Sequence, residues 1–175
     1  MELTHKQFDW TERIGRGKET EERFVTHLQE TYGLHVMQTS QHLYKPTDKM
    51  TRHSPDMFVM ERAVFVQVKE GRESGQYSNV IAETDSIDAC KKLFDMGSRV
   101  WAVWEYPDGS WHGNDIQHIR IVGTISDQAR KNGSGTPAYK ISKASLKTLE
   151  SLIAEHEQLG LFFDDNKEAA DASRN

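Results

Sequence analysis

The chain has 175 residues, which is enough for one domain with a sizeable core. Its formal net charge of −5 argues against a general nucleic-acid coat protein but not against a nuclease, whose carboxylates are neutralised by metal ions. Its single cysteine, Cys90, excludes an intramolecular disulfide framework and a cysteine-pair zinc module. We expect a cytoplasmic protein without a membrane partner, because the sequence has no membrane-length apolar run and no secretory pattern.

The first predicted element is a helix from about Lys18 to Tyr32, with Gly33 as the residue that ends it. Its apolar stripe consists of Phe24, Val25 and Leu28. One turn toward the N-terminus this stripe reaches Glu21, which predicts a carboxylate on the side that faces the core, where it is costly unless paired or ligated. Glu22 is expected to face solvent. An alternative is that Glu21 only stabilises the helix dipole as a first-turn acid.

A short strand is predicted at 34–39, and a loop then leads into a β-hairpin that ends at Lys69. Because strand side chains alternate between faces, Phe65, Gln67 and Lys69 share one face and the neighbouring valines share the other. An apolar strand of this kind should be buried. This strand nevertheless ends in the polar residues Gln67 and Lys69 close to Asp56, which indicates a functional site.

The hairpin residues predict a metal-dependent phosphodiesterase site. Asp56 would be an oxygen ligand for Mg²⁺, Gln67 would offer its amide oxygen, and Lys69 would stabilise charge on the attacking water or the phosphate. The alternative is an ordinary amphipathic hairpin with a solvated lysine and a Pro-Asp turn. Four basic residues precede the hairpin, namely Lys45, Lys49, Arg52 and His53. They are candidates to contact a nucleic-acid backbone, and the alternative is that they belong to a solvated loop.

A second helix is predicted from about Ala82 to Met96, with Cys90 packed on its apolar face as a buried thiol. The segment from Val100 to Tyr106 is apolar on both faces and is predicted to be a central strand. Trp111 should begin a returning strand after a turn at 107–109, and we expect 119–123 to add another strand.

The last third contains a glycine-rich stretch and an amphipathic segment. Arg130 and Lys131 lie in a loop expected at 126–136, where they either contact a nucleic-acid backbone or belong to a plain connector. A final helix is expected from about Lys143 to Leu159, with apolar residues inward.

The order helix, strand, hairpin, helix, buried strand resembles the PD-(D/E)xK nuclease superfamily, whose core is αβββαβ. Ser54-Pro55-Asp56 resembles the PD element, and Gln67-Val68-Lys69 resembles the (D/E)xK element with glutamine in place of the acid. The segment 17–23 is similar to the helix motif that supplies a further acidic ligand in the archaeal Holliday-junction resolvases of that superfamily. The second helix lacks the Gln-x-x-x-Tyr pattern of the RecB-like exonuclease branch, which favours an endonuclease.

The resemblance covers about 17–106 and implies a restriction-endonuclease-like α/β fold, with a mixed central sheet flanked by helices. We expect one nuclease-like domain at 1–163, in which the core at about 17–106 is followed by a C-terminal strand and helix extension at about 107–163. The acidic segment 164–175 is expected to be a disordered tail.

The resemblance also implies DNA as the partner and Mg²⁺ or Mn²⁺ as the cofactor. The implied catalytic residues are Asp56, Gln67, Lys69 and Glu21, and the implied metal set is Asp56, Gln67, Val68 and Glu21. The function implied is a DNA endonuclease, with branched DNA in recombination, replication or phage DNA processing as the candidate substrate. Because Gln67 removes a carboxylate, the alternative is a weakened or inactive module that binds nucleic acid or a protein. Cutting two strands would suit a homodimer.

Overall fold

The structure, a computed structural model, describes residues 10–39, 55–71, 79–126 and 137–155. The predicted tail at 164–175 lies outside these ranges. So do all the predicted contacts to nucleic acid, namely Lys45, Lys49, Arg52, His53, Arg130 and Lys131. Among the described helices, none is long and apolar enough to cross a membrane.

The described residues form both helices and strands. In order, they are α1 (Trp10–Tyr32), β1 (Val36–Gln38), β2 (Met57–Val59), β3 (Val64–Glu70), β4 (Asn79–Glu83), α2 (Thr84–Asp95), β5 (Arg99–Glu105), β6 (Trp111–Asp115), α3 (Ile116–Val122), β7 (Thr124–Ser126), β8 (Ala138–Ser142), β9 (Lys147–Thr148) and a helical stretch at 149–155, named α4. Single 3-10 turns lie at Met60–Arg62 and Lys143–Ser145.

A six-stranded mixed sheet lies at the centre, in the order β1-β2-β3-β5-β6-β9. β3 and β5 pair in parallel, and the other neighbours pair antiparallel. The strands β4, β8 and β7 form a second, antiparallel sheet in that order. The predicted mixed α/β architecture is therefore confirmed, and residues after 106 extend the main sheet through β6 and β9.

The main sheet separates two hydrophobic cores, and β5 contributes to both. Trp101 and Val103 pack in the core that contains α1 and α4, whereas Ala102 and Trp104 pack in the core that contains α2 and α3. This division explains why the sequence of β5 is apolar at every central position. β3 divides in the same way, since Val64, Val66 and Val68 face the α1 core and Phe65 packs against the α2 core.

The predicted ends of the first two helices are confirmed by their glycines. Gly33 and Gly97 follow α1 and α2 with φ values of 64° and 92°, a left-handed conformation that glycine adopts without steric cost. The predicted starts were less accurate. α1 begins at Trp10 and not at Lys18, because the two glycines in between, Gly15 and Gly17, lower helix propensity but do not interrupt the helix. Ala82, the predicted start of the second helix, belongs to β4.

The strand expected at 119–123 is wrong, because Ile116–Val122 forms α3. Ile119 and Ile121 alternate as they would in a strand, but the buried pair is Ile116 and Ile119, which is helical spacing. The Asp115 side chain caps this helix by accepting a hydrogen bond of 2.8 Å from the backbone nitrogen of His118. The cap shows where the helix begins.

The last helix also begins later than Lys143. A 3-10 turn and the short strand β9 come first, and the helical stretch starts at 149. The hydroxyl of Thr148 accepts a hydrogen bond from the backbone nitrogen of Ser151 at 3.3 Å, as an N-capping threonine does. Of the four residues predicted to point inward, Leu149, Leu152 and Ile153 are buried. The fourth, Leu146, precedes the helix and is partly buried.

Candidate active site

Backbone hydrogen bonds on both sides fix Asp56 at the start of β2. Its nitrogen donates to the carbonyl oxygen of Val66 at 3.0 Å, and its carbonyl oxygen accepts from the nitrogen of Thr39 at 2.9 Å. The Thr39 hydroxyl donates to the carbonyl oxygen of Pro55 at 2.5 Å. Asp56 is thus held between the end of β1 and the middle of β3.

The carboxylate of Asp56 is buried, with 8% of the residue exposed. Its Oδ2 atom accepts hydrogen bonds from Nε2 of Gln67 at 2.5 Å and from the backbone nitrogen of Val68 at 2.7 Å. Burial raises the pKa of Asp56 to about 6, against the lowering effects of the Lys69 charge and of these two hydrogen bonds. The buried carboxylate therefore remains costly to ionise although it is hydrogen-bonded.

Glu21 approaches the same place from α1. It is half-buried whereas Glu22 is exposed, which agrees with the helix phase that the apolar stripe predicts. The pKa of Glu21 is raised to about 7, mainly by burial and then by the negative charge of Asp56, against the lowering effects of Lys18 and Lys69. Glu21 and Asp56 are therefore close enough to repel each other.

Lys69 is the cation beside these two carboxylates. It is half-buried near the end of β3, opposite Trp104 in the parallel pairing. Its charge lowers the pKa of both Asp56 and Glu21, although burial dominates for each. The structure thus brings together three of the predicted catalytic residues, from a helix and two strands.

Gln67 is buried and uses both ends of its amide. Nε2 donates to Asp56, and Oε1 accepts from Sγ of Cys90 on α2 at 3.8 Å. Burial raises the pKa of Cys90 to about 12, as suits the packed thiol predicted from the sequence. The amide nitrogen, and not the oxygen expected to bind metal, is directed at Asp56, and Val68 contributes its backbone N–H.

A clamp that the sequence did not reveal holds α1 over this site. The Arg23 guanidinium donates to both carboxylate oxygens of Glu105 at the end of β5, over 2.6 to 3.0 Å, and its Nη2 donates to the Thr20 hydroxyl at 3.0 Å. Two parallel hydrogen bonds fix orientation as well as distance. They fix the helical turn that carries Glu21. Arg23 lies in the motif at 17–23, but nothing in the sequence links it to an acid 82 positions away.

An open groove lies beside the site, and the Arg23 clamp forms part of its lining. It is lined by Glu19, Glu22, Arg23, Thr26, His27, Glu30, Thr31, Glu105 and Trp111. Four glutamates against one arginine make this groove unfavourable for a phosphodiester. None of the predicted catalytic residues lines this groove.

Two solved nucleases have a similar structure. Hjc, a Holliday junction resolvase from the archaeal hyperthermophile Archaeoglobus fulgidus, is 11% identical, with a TM-score of 0.52 over 78% of this chain and 94% of that one. D212, a nuclease from a fusselovirus, is 10% identical, with a TM-score of 0.53 over 87% of this chain and 95% of that one. This chain has the restriction-endonuclease-like nuclease fold. No family model and no curated protein matches the sequence.

The side chains of this site can be compared with the ligands that Mg²⁺ and Mn²⁺ usually have in proteins. Within the described ranges, no group of three or more His, Cys, Asp or Glu side chains is arranged to hold a metal ion. Glu21 and Asp56 nevertheless supply carboxylate oxygens, which Mg²⁺ and Mn²⁺ prefer, and Mg²⁺ in proteins often binds through one or two carboxylates and several waters. The residues fit a site of two carboxylates.

The raised pKa values predict an unusual pH dependence for the metal-free protein. Between pH 4 and 7 the folded state binds more protons at Asp56 and Glu21 than the unfolded state does, so these two groups make stability fall as pH rises. The rise in the pKa of Asp56 to about 6 corresponds to roughly 3 kcal/mol in favour of the protonated form in the folded state. In EDTA, Asp56→Asn should therefore melt several degrees above wild type at pH 8 and close to it at pH 4.

Thermal unfolding of both proteins across this pH range checks the prediction. Glu22→Gln is the matched control, because Glu22 is exposed, and it should follow wild type at every pH. A constant difference between Asp56→Asn and wild type would contradict the prediction.

Proposed function

We propose that this chain is a divalent-metal-dependent DNA endonuclease that hydrolyses phosphodiester bonds. The observation that supports this most strongly is the convergence of Glu21, Asp56 and Lys69 in a nuclease fold. A buried and a half-buried carboxylate that repel each other beside one ammonium group have no evident role in stability, since each is costly to ionise. Such a trio suits the binding of a cation and an anion together.

In this proposal, Asp56 and Glu21 hold the metal, and Lys69 and the Arg23 clamp have separate roles. Mg²⁺ or Mn²⁺ bound there supplies Lewis-acid chemistry, which neutralises phosphate charge and lowers the pKa of a water molecule. Lys69 donates to the phosphate or to the attacking water, where charge develops in the transition state. Strand pairing around Asp56 and the Arg23 clamp keep the two carboxylates in place before substrate arrives.

The substrate to try first is branched DNA, because one structural neighbour is a Holliday junction resolvase. Cleavage of branched DNA would suit a role in recombination, replication or phage DNA processing. An active homodimer would allow two strands to be cut by symmetric sites. The predicted basic contacts, from Lys45 to His53 and at Arg130 and Lys131, would bind the DNA backbone.

A binding module without activity is the competing proposal, and it is favoured by one observation. The position that carries an acid in the superfamily signature carries Gln67 here, which leaves two carboxylates in the site. Fewer negative charges mean weaker attraction for a dication.

Incubation with a four-way junction, a single strand and a linear duplex, each in Mg²⁺, Mn²⁺ or EDTA, distinguishes the two proposals. We expect the junction to be cut in either metal and to be bound but intact in EDTA. Mn²⁺ should give the faster reaction, because it binds nitrogen and oxygen sites more tightly than Mg²⁺. DNA that is retarded but intact under all conditions would overturn the endonuclease and support the binding module.

Glu21→Gln tests the carboxylate on the helix. We expect it to reduce cleavage and to raise the metal concentration for half-maximal activity by about 10-fold or more, since even outer-shell losses typically cost 10–100-fold. Glu22→Gln removes the same charge one position away, on an exposed side of α1, and should change both values little. The reverse pattern would show that Glu22 is the ligand.

A further inference from the structure

Three buried side chains from different elements form a continuous hydrogen-bonded chain beneath the site. The thiol of Cys90 contacts Oε1 of Gln67, and Nε2 of Gln67 contacts Oδ2 of Asp56. Cys90, Gln67 and Asp56 are 0%, 5% and 8% exposed, so water does not readily compete for these contacts. The chain runs from α2 through β3 to the start of β2.

Hydrogen-bonding rules fix the orientation of the central amide. An ionised carboxylate only accepts hydrogen bonds, whereas an amide nitrogen only donates them. Rotating the Gln67 amide by half a turn would place two oxygen atoms 2.5 Å apart and would turn the amide hydrogens toward the Cys90 thiol. The observed orientation is the one in which each group has a suitable partner.

The direction of the Gln67 oxygen bears on the predicted role of this residue. Near Asp56, Gln67 presents its amide nitrogen, which is a donor and has no lone pair to offer a cation. Its oxygen is directed instead at the Cys90 thiol on α2. To ligate a cation held by Glu21 and Asp56, Gln67 would have to give up both of its hydrogen bonds.

We propose that Gln67 is a positioning residue, which holds Asp56 through its amide nitrogen and is itself oriented by Cys90, and that it does not ligate the metal. This inference rests on the proposed function, because it assigns Asp56 as a ligand. It also gives a reason for glutamine at position 67. A glutamate there would put a second carboxylate 2.5 Å from that of Asp56, where two negative charges repel, while glutamine donates a hydrogen bond.

The S–H stretching band in the Raman spectrum tests this directly, because Cys90 is the sole cysteine of the chain. In wild type we expect the band at the lower frequency of a hydrogen-bonded thiol. Gln67→Met removes the acceptor and keeps a similar volume, so the band should move to the frequency of a free thiol. Gln117→Met makes the same replacement at an exposed position on α3 and should leave the band unchanged.

Adding metal then distinguishes positioning from ligation. With saturating Mn²⁺ or Mg²⁺, the wild-type band should stay where it is, because Oε1 remains on the thiol. Gln67→Met should raise the metal concentration for half-maximal thermal stabilisation by about 10-fold, as the loss of outer-shell partners does. A band that moves to the free-thiol frequency when metal binds would overturn the inference, and so would an unchanged band in Gln67→Met.

The failure of this inference can be told from the failure of the proposed function. If metal raises the melting temperature of wild type and the S–H band moves, metal binding stands and the positioning role falls. If neither metal changes the melting temperature, the metal site is overturned, and the role assigned to Gln67 falls with it.

Discussion

Asp56→Asn should abolish metal-dependent cleavage while the protein remains folded and still binds DNA. The asparagine oxygen can accept the hydrogen bonds from Gln67 and Val68, so the structure around it is kept. The charge that would hold the cation is lost, and we expect the cleavage rate to fall by more than about 100-fold, since loss of a mere outer-shell partner typically costs 10–100-fold. DNA binding should change little, because contacts to the DNA backbone are separate from the metal site.

Single-turnover cleavage of the preferred DNA, with a gel-shift measurement in EDTA, checks this prediction. Asp95→Asn, an exposed aspartate near the end of α2, makes the same change far from the site and should cleave at the wild-type rate. Thermal unfolding adds a second readout, because Asp56→Asn should no longer be stabilised by Mg²⁺ or Mn²⁺. Cleavage near the wild-type rate in saturating metal would remove Asp56 from the proposed mechanism.

The parts of this fold that the sequence predicted are those with a simple side-chain period. The apolar residues of β5 and the alternation in β3 identify two strands because burial acts on each residue separately. The half-buried side of α1 on which Glu21 lies is predictable for the same reason, since its phase follows from the buried residues Phe24 and Leu28.

The parts that the sequence did not predict depend on partners distant along the chain. The short run of isoleucines in α3 alternates as it would in a strand, and the feature that decides for a helix is the cap at Asp115. β4 went unpredicted because it pairs with β8, almost 60 positions later. The contact between Gln67 and Cys90 depends on which end of an amide faces α2, and no periodicity carries that information.

Lys69→Met should slow the chemical step by about 100-fold or more, which is the usual cost of removing one group that stabilises transition-state charge. Methionine keeps much of the aliphatic volume, so the pairing of β3 with β5 at Trp104 should survive. Because Lys69 lowers the pKa of Asp56 and of Glu21, the variant should also need a higher pH for half-maximal metal binding. A side chain that only supports the fold would not produce this alkaline shift.

The two effects are separated by measuring single-turnover rates and metal-induced stabilisation at several pH values. Lys92→Met, an exposed lysine on α2, is the matched control and should leave both unchanged. At high pH and saturating metal, Lys69→Met should bind metal as wild type does and still cleave slowly, because carboxylate ionisation is then complete and only the transition-state interaction is missing. Recovery of the full rate under these conditions would show that Lys69 acts only by lowering the pKa of its neighbours, and its proposed contact with the phosphate or the attacking water would be wrong.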